Sequence, residues 1–185
     1  MQRAKNIQKL KTRILIALFS VILLICSRIS IPYVIPFSLQ SLGIFLTLGI
    51  LGGKRGLLSI LIYLALGLIG IPISATGEAG INLFLTPTAG YLIGWILCGI
   101  LFWIIETKFG NRNKTRIIAF SIGTIVCYIV GTIWFVLICT HNNTTISVWT
   151  ALCYCVFPFI LFDIIKLLIA NAITNKLHNK ITIEQ

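Results

Sequence analysis

Apolar positions fall into six runs, at residues 13–30, 39–51, 57–70, 88–106, 117–140 and 148–177, parted by short segments rich in glycine, proline or cations. A helix crossing a bilayer needs about 20 apolar residues, so the pattern predicts six spans with no room for a separate soluble domain. Residues 1–185 form one unit. The second and third runs are short for a straight crossing and predict broken or tilted elements. Pro32 and Pro36 bracket an extended loop, IPYVIPF, because proline disfavours helix in the residue before it. A second loop, IPISATGEAGINLFLTP, is long for a link between membrane helices. It is read either as a flexible link or as a lid over a site on that side.

Composition agrees with the pattern. Hydrophobic residues make up 58% of the 185-residue chain, charged residues 10%, and mean hydropathy is +1.03, well above the apolar share of a soluble domain. The expected fold is an all-α membrane protein, a compact bundle of six transmembrane helices. The net charge of +11 suggests nucleic acid only until the cations are located. Arg3, Lys5, Lys9, Lys11 and Arg13 precede the first run, and Lys54 and Arg55 follow the second. Lys108, Arg112, Lys114 and Arg116 follow the fourth, and Lys176 and Lys180 close the sixth. With six spans all four clusters share one side, so the positive-inside rule places both termini in the cytoplasm. The expected partner is a lipid bilayer, with no nucleic acid. The first run lacks a small-residue cleavage site and five spans follow it, which argues against a signal peptide.

Other chemistry is mostly excluded. Cys26, Cys98, Cys127, Cys139, Cys153 and Cys155 include no C-x-x-C pair, and His141 and His178 have no second ligand at metal spacing. Buried free thiols, solvated histidines and no metal or cofactor are expected. The sequon-like Asn142-Asn143-Thr144-Thr145 is read as a plain polar loop. No G-x-x-x-x-G-K-[ST] loop is present, so any pumping energy comes from a partner. Neither G-x-S-x-G nor H-E-x-x-H occurs, and the acids, Glu78, Glu106, Asp163 and Glu184, are not paired. No enzyme is expected. Gly90–Gly94 and Gly49–Gly53 have the spacing of close helix contacts, and Trp103 and Trp149 suit interfacial anchoring.

One pair breaks the apolar pattern. Asp163 and Lys166 sit inside the last run, three residues apart and so on one helical face. Each costs about 2.5–3.5 kcal/mol at the bilayer centre. Pro158 just upstream starts or kinks this helix and places Asp163 within a turn or two of the outer boundary. A strut between helices is one explanation; a functional site, the usual role of an intramembrane ion pair, is the other.

Three ordered segments resemble a known family, the biotin-binding S components of energy-coupling-factor (ECF) transporters called BioY. IPFSLQSLGIFLTLGILGGKRG is similar to its P-F-T-L-Q stretch, short span and basic turn. LIYLALGLIGIPISATGEAGINLFLTPTAGYLIGW resembles its L-Y-L-x-L-G-x-x-G-x-P, glycine-rich loop and P-T-G-G-Y. PFILFDIIKLLIANAI resembles P-F-x-x-x-D-x-x-K. The fifth run matches only in being apolar. Ala89, Thr76 and Ala79 replace glycines, and Glu78 stands where small or amide residues are common.

The resemblance implies a six-helix S component in a bacterial cytoplasmic membrane, which captures biotin from outside and docks on a transmembrane coupling subunit driven by two ATPases. It implies that Asp163 and Lys166 bind the ligand, with Tyr91 next. Phe37, Gln40, Glu78 and Asn82 would close over it, and Arg28 would meet a carboxylate or snorkel to headgroups. Docking in such components uses small-x-x-x-small packing along the first helix. Here Val21 stands four residues after Ala17, with Ser20 beside it, so the coupling partner is expected from the family and not from this motif. Two competing functions stay open: an S component for another vitamin such as thiamine or riboflavin, and a non-transport scaffold in which Asp163 and Lys166 are a strut.

Overall fold

In a computed structural model, the structure describes residues 2–33, 35–142, 144 and 146–178, with backbone only at Ala4 and His178. Asn143 and Thr145 of the polar loop, Lys180 and Glu184 lie outside the described residues, as does the side chain of His178. Among the described residues eight helices occur, α1 (Gln2–Arg28), α2 (Gln40–Leu51), α3 (Gly53–Leu68), α4 (Asn82–Leu85), α5 (Ala89–Phe109), α6 (Asn113–His141), α7 (Val148–Cys155) and α8 (Phe157–His178). Two short strands, β1 (Ser30–Ile31) and β2 (Phe37–Ser38), pair antiparallel between α1 and α2. Four stretches are long and apolar enough to cross a membrane: Lys5–Arg28, Ala89–Phe109, Asn113–His141 and Val148–Leu177. At 1.5 Å per residue, α2 and α3 reach only about 18 and 24 Å, short of a hydrocarbon core of about 30 Å.

Several boundaries move from those the apolar pattern predicts. The basic leader is helical, and α1 starts at Gln2 and not near residue 13, because lysine and arginine are good helix formers with no breaker before the span. Gly52, at φ +78°, separates α2 from α3 with a single residue, a conformation cheap only for glycine. The last run is two helices, broken at Val156; Pro158 occupies the first turn of α8, where its missing N–H costs nothing. A one-turn helix, α4, lies in the second loop.

Helix packing follows the small residues. A Cβ added at Gly94 would lie 2.8 Å from the Cys127 backbone, so α5 and α6 lie backbone to backbone there. The main core joins Leu23, Phe45, Ile60, Tyr63, Phe102 and Phe120, and a smaller one beside the first loop joins Ile35, Phe135, Ala151, Cys155, Val156 and Phe159. Stripes of exposed apolar residues cover the outside, including Leu18, Val21 and Ile25 on α1 and Ile122, Ile125, Ile129 and Ile133 on α6. Water would not tolerate such a surface; lipid would.

Arg116, grouped in sequence with a solvated basic loop, is buried in α6 at 2% exposure. Its guanidinium donates to the side-chain oxygens of Asn111, Asn171 and Asn175. Uncharged amide oxygens thus satisfy a buried cation whose five donors demand partners. The six cysteines are all unpaired, with Cys98, Cys127 and Cys155 buried.

Candidate functional site

The site is built where the first loop folds back onto α8. Pro32 and Pro36 keep the loop extended, and β1 pairs with β2 in the register Ser30 with Ser38 and Ile31 with Phe37. Phe37 then stacks on Phe159 with ring centroids 4.2 Å apart and meets Phe162 edge-on. This contact, of a kind worth about 0.5–1.5 kcal/mol beyond area burial, pins the ribbon to α8. It holds the Ser38 carbonyl over Lys166.

The ion pair is real and buried. Lys166 Nζ lies 3.2 Å from Asp163 Oδ1, and Asp163 is 7% exposed. Lys166 also donates to the Ser38 carbonyl at 2.8 Å and to Ser41 Oγ at 3.0 Å. Asp163 accepts from Ser41 Oγ at 2.7 Å and from the Tyr128 hydroxyl at 2.6 Å. A buried pair is tolerable only when further hydrogen bonds satisfy what the pair leaves over. Here all three ammonium protons and both carboxylate oxygens are engaged. An incoming polar ligand therefore exchanges for one of these bonds; Ser38 belongs to β2 of the first loop and Ser41 to the first turn of α2.

Asp163, Lys166, Gln40 and Tyr91 line one cavity of about 70 Å³, together with Ser38, Ser41, Trp95, Tyr128, Cys155 and Phe159. It abuts a second, of about 60 Å³, that shares Ser38, Gln40 and Tyr91 and reaches Ser74, Thr76 and Thr88. Small-ligand pockets run to roughly 300–1,000 Å³, so the two cavities are narrow for a ligand. Their non-helical walls, residues 35–39 and 71–81, belong to the two loops.

The other candidates surround this cavity at different depths. Gln40 Nε2 donates to the Tyr63 hydroxyl at 3.1 Å, and Tyr63 donates in turn to the Ile73 carbonyl, tying α2 to the second loop. The Tyr91 hydroxyl donates to the Cys155 carbonyl at 3.3 Å. Arg28 does not line the cavity. Its Nη1 donates to the Ser74 carbonyl at 2.8 Å, so it holds the second loop. Glu78 sits one layer behind the cavity wall and accepts from the hydroxyls of Ser74 and Thr76. Partial burial pushes its carboxyl up, but the Ser74 and Thr76 hydroxyls, its own backbone N–H and the Arg28 cation outweigh that and hold it below the usual range. Asn82 is exposed at the start of α4 and touches neither cavity. A one-turn helix turns it outward while burying Leu83.

Sequence reasoning missed Ser41 and Tyr128. Ser41 directly follows Gln40 but gives no sign of its partner. Tyr128 lies mid-span in the fifth run, where a phenol must find a hydrogen-bond partner, and that demand was its only signal. Among the described residues, no three His, Cys, Asp or Glu side chains are placed to hold a metal ion.

Comparison with known proteins places this arrangement in context. The biotin transporter BioY of Rhodobacter capsulatus is 32% identical over 78% of this chain and 80% of its own length. A probable biotin transporter BioY of Pyrococcus horikoshii is 33% identical over 91% of this chain and 97% of its own, and the BioY of Thermotoga maritima 31% over 91% and 95%. The fold superposes on the 2.1 Å crystal structure of the S-component for biotin from an ECF-type ABC transporter with TM-score 0.80 and 31% identity, covering 94% of each chain. The family model for BioY matches residues 1–182, and with relatives of this identity and coverage beside it, the chain belongs to the BioY family.

Proposed function

We propose that this chain is the biotin-binding S component of an ECF-type transporter and has no catalytic activity. The observation that carries it is the Asp163–Lys166 pair, hydrogen-bonded to Ser41 and Tyr128 at the wall of a narrow cavity, in a chain similar throughout to proteins that transport biotin. Biotin suits that chemistry. Its bicyclic body and aliphatic chain fit against Trp95, Tyr91 and Phe159, while its ureido and carboxylate groups need a few fixed partners. Asp163 accepts from a ureido N–H, and Lys166 donates to a ligand oxygen once it lets go of Ser38 or Ser41. Gln40 and Tyr91 close the side of the pocket. Phe37 braces the first loop through Phe159, Arg28 and Glu78 hold the second loop, and Asn82 contributes through the position of α4.

The finer organisation follows from the same reading. Six crossings are formed by α1, α2, α3, α5, α6 and the α7–α8 pair, with α2 and α3 sharing the Gly52 turn. The cation-rich ends lie in the cytoplasm, the membrane is the cell membrane, and the site faces outward. A transmembrane coupling subunit and two ATPases supply the energy that a chain without a nucleotide loop lacks.

Competition decides between vitamins. Detergent-purified protein loaded with labelled biotin is challenged with excess unlabelled biotin, thiamine or riboflavin. Only unlabelled biotin is expected to displace the label; displacement by thiamine or riboflavin, or no retained biotin, contradicts the assignment.

A further inference from the structure

A further cavity shares the Tyr128–Asp163 wall of the candidate site and opens on the exposed apolar surface of α6 and α8. It measures about 280 Å³ and lies between α6 and α8. Its lining is two matched helical faces, Ser121, Thr124, Ile125 and Tyr128 from α6 and Ile160, Asp163, Ile164 and Leu167 from α8. Each set has the i, i+3, i+4, i+7 spacing of one face. The small side chains of Ser121 and Thr124 leave the gap. Tyr128 and Asp163 belong to both cavities, so their hydrogen bond is the partition between the site and the groove.

We infer that this groove binds a single lipid acyl chain, which seals the Tyr128–Asp163 partition from the membrane side. Both helices belong to stretches long and apolar enough to span a bilayer, and the groove runs beside residues 121–128 of α6 and 160–167 of α8. Its rim is exposed and apolar, with Ile125 at 58% and Ile164 at 50% exposure, while Thr124, Asp163 and Leu167 on its floor are buried. Among the polar groups of the lining only the exposed Ser121 hydroxyl lacks a partner among the described residues, one short of the least that holds a water. Thr124 Oγ1 donates to the Phe120 carbonyl, the Tyr128 hydroxyl donates to Asp163, and Asp163 is filled from Ser41 and Lys166, whereas a trapped water needs 2–4 polar partners. Seven residues of helix give the groove a length of about 10 Å. A volume of about 280 Å³ then leaves a cross-section of roughly 30 Å², well below that of a helix about 10 Å across. An extended hydrocarbon chain fits that width along its whole length, whereas a helix of another protein or of a second copy would enter it only with single side chains.

Photolabelling distinguishes floor from rim. The full chain is reconstituted in phosphatidylcholine vesicles carrying a diazirine at mid-chain, irradiated, and the labelled residues are mapped by mass spectrometry. The expected result is label on Thr124 and Leu167 as well as on Ile125 and Ile164. In Ser121→Phe, and separately in Ile164→Phe, a ring fills the groove, and floor label is expected to fall to the level of a diazirine-free control while rim label at Ile125 persists. A thermal melting transition like the parent's, measured on the same reconstituted variants, shows that the plugged chains are folded. Label confined to the rim of the parent, or floor label unchanged by both plugs, overturns the proposal.

Discussion

Asp163 and Lys166 announce themselves in the sequence because a charge in an apolar run has a cost that something must offset. Ser41 and Tyr128 do not, since single hydroxyls are common in membrane helices and only the folded chain brings them to the carboxylate. Arg116 was misplaced for a related reason: nothing in a run of cations shows which one turns inward to meet three asparagines from α8 and the preceding loop. Tyr128→Phe leaves Asp163 Oδ2 without its donor and is expected to weaken biotin binding by about 1–3 kcal/mol, measured by isothermal titration, with the helical content of the parent retained. Glu78 sets a pH dependence. Its folded carboxyl titrates below the usual carboxylate range, so its hold on Ser74 and Thr76 is complete above about pH 4.3, the ordinary glutamate value, and is lost as pH falls through the depressed folded value. Biotin dissociation is therefore expected to be constant from neutral pH down to about pH 4.3 and to quicken below, and Glu78→Gln should lessen that change, leaving only what the ligand's own carboxyl contributes. A dissociation rate that rises already between pH 7 and 6 would point to another group.

Among the elements, the long apolar helices were legible from run length and α2 and α3 from their glycine boundaries, whereas α4 and three further features were not. The helical leader of α1 needs no apolar residue to form. The break at Val156 lies inside a continuous apolar run, and β1 with β2 is stabilised by cross-loop pairing that no local pattern encodes. The contact between α5 and α6 also reaches the site, because a Cβ at Gly131 would lie 2.3 Å from the Tyr91 ring. Gly131→Ala is expected to displace Tyr91, cost about 1–3 kcal/mol of stability through overpacking, and weaken biotin binding in the folded fraction. Thermal unfolding in detergent and binding, measured side by side, separate the two effects; a variant with parental melting and parental affinity would show that the ring is not held by this contact. Phe37→Ala removes the stack on Phe159 and is expected to speed biotin dissociation, measured by release of the labelled ligand.

For the whole molecule, the sequence carried the class and the apolar bundle, and left the placing of the loops unseen. The loops beside the cavity are set by long-range bonds, Arg28 to Ser74 and Gln40 to Tyr63 among them, between segments more than 20 residues apart. A chain with a binding site and no nucleotide loop should retain biotin alone yet fail to concentrate it. Proteoliposomes holding only this chain are expected to show no ATP-dependent accumulation; accumulation in the absence of any ATPase would require a different energy source.

Equilibrium binding of labelled biotin to the purified protein, with Asp163→Asn and Lys166→Ala beside it, bears most directly on the role of the buried pair. Nanomolar binding by the parent, about −12 kcal/mol, is expected to fall by about 3–5 kcal/mol in each variant, the scale of breaking a buried ion pair, with both variants folded by circular dichroism. Parental affinity in both folded variants would make the pair a strut between α8 and the first loop, and absence of binding by a folded parent would remove biotin as the ligand.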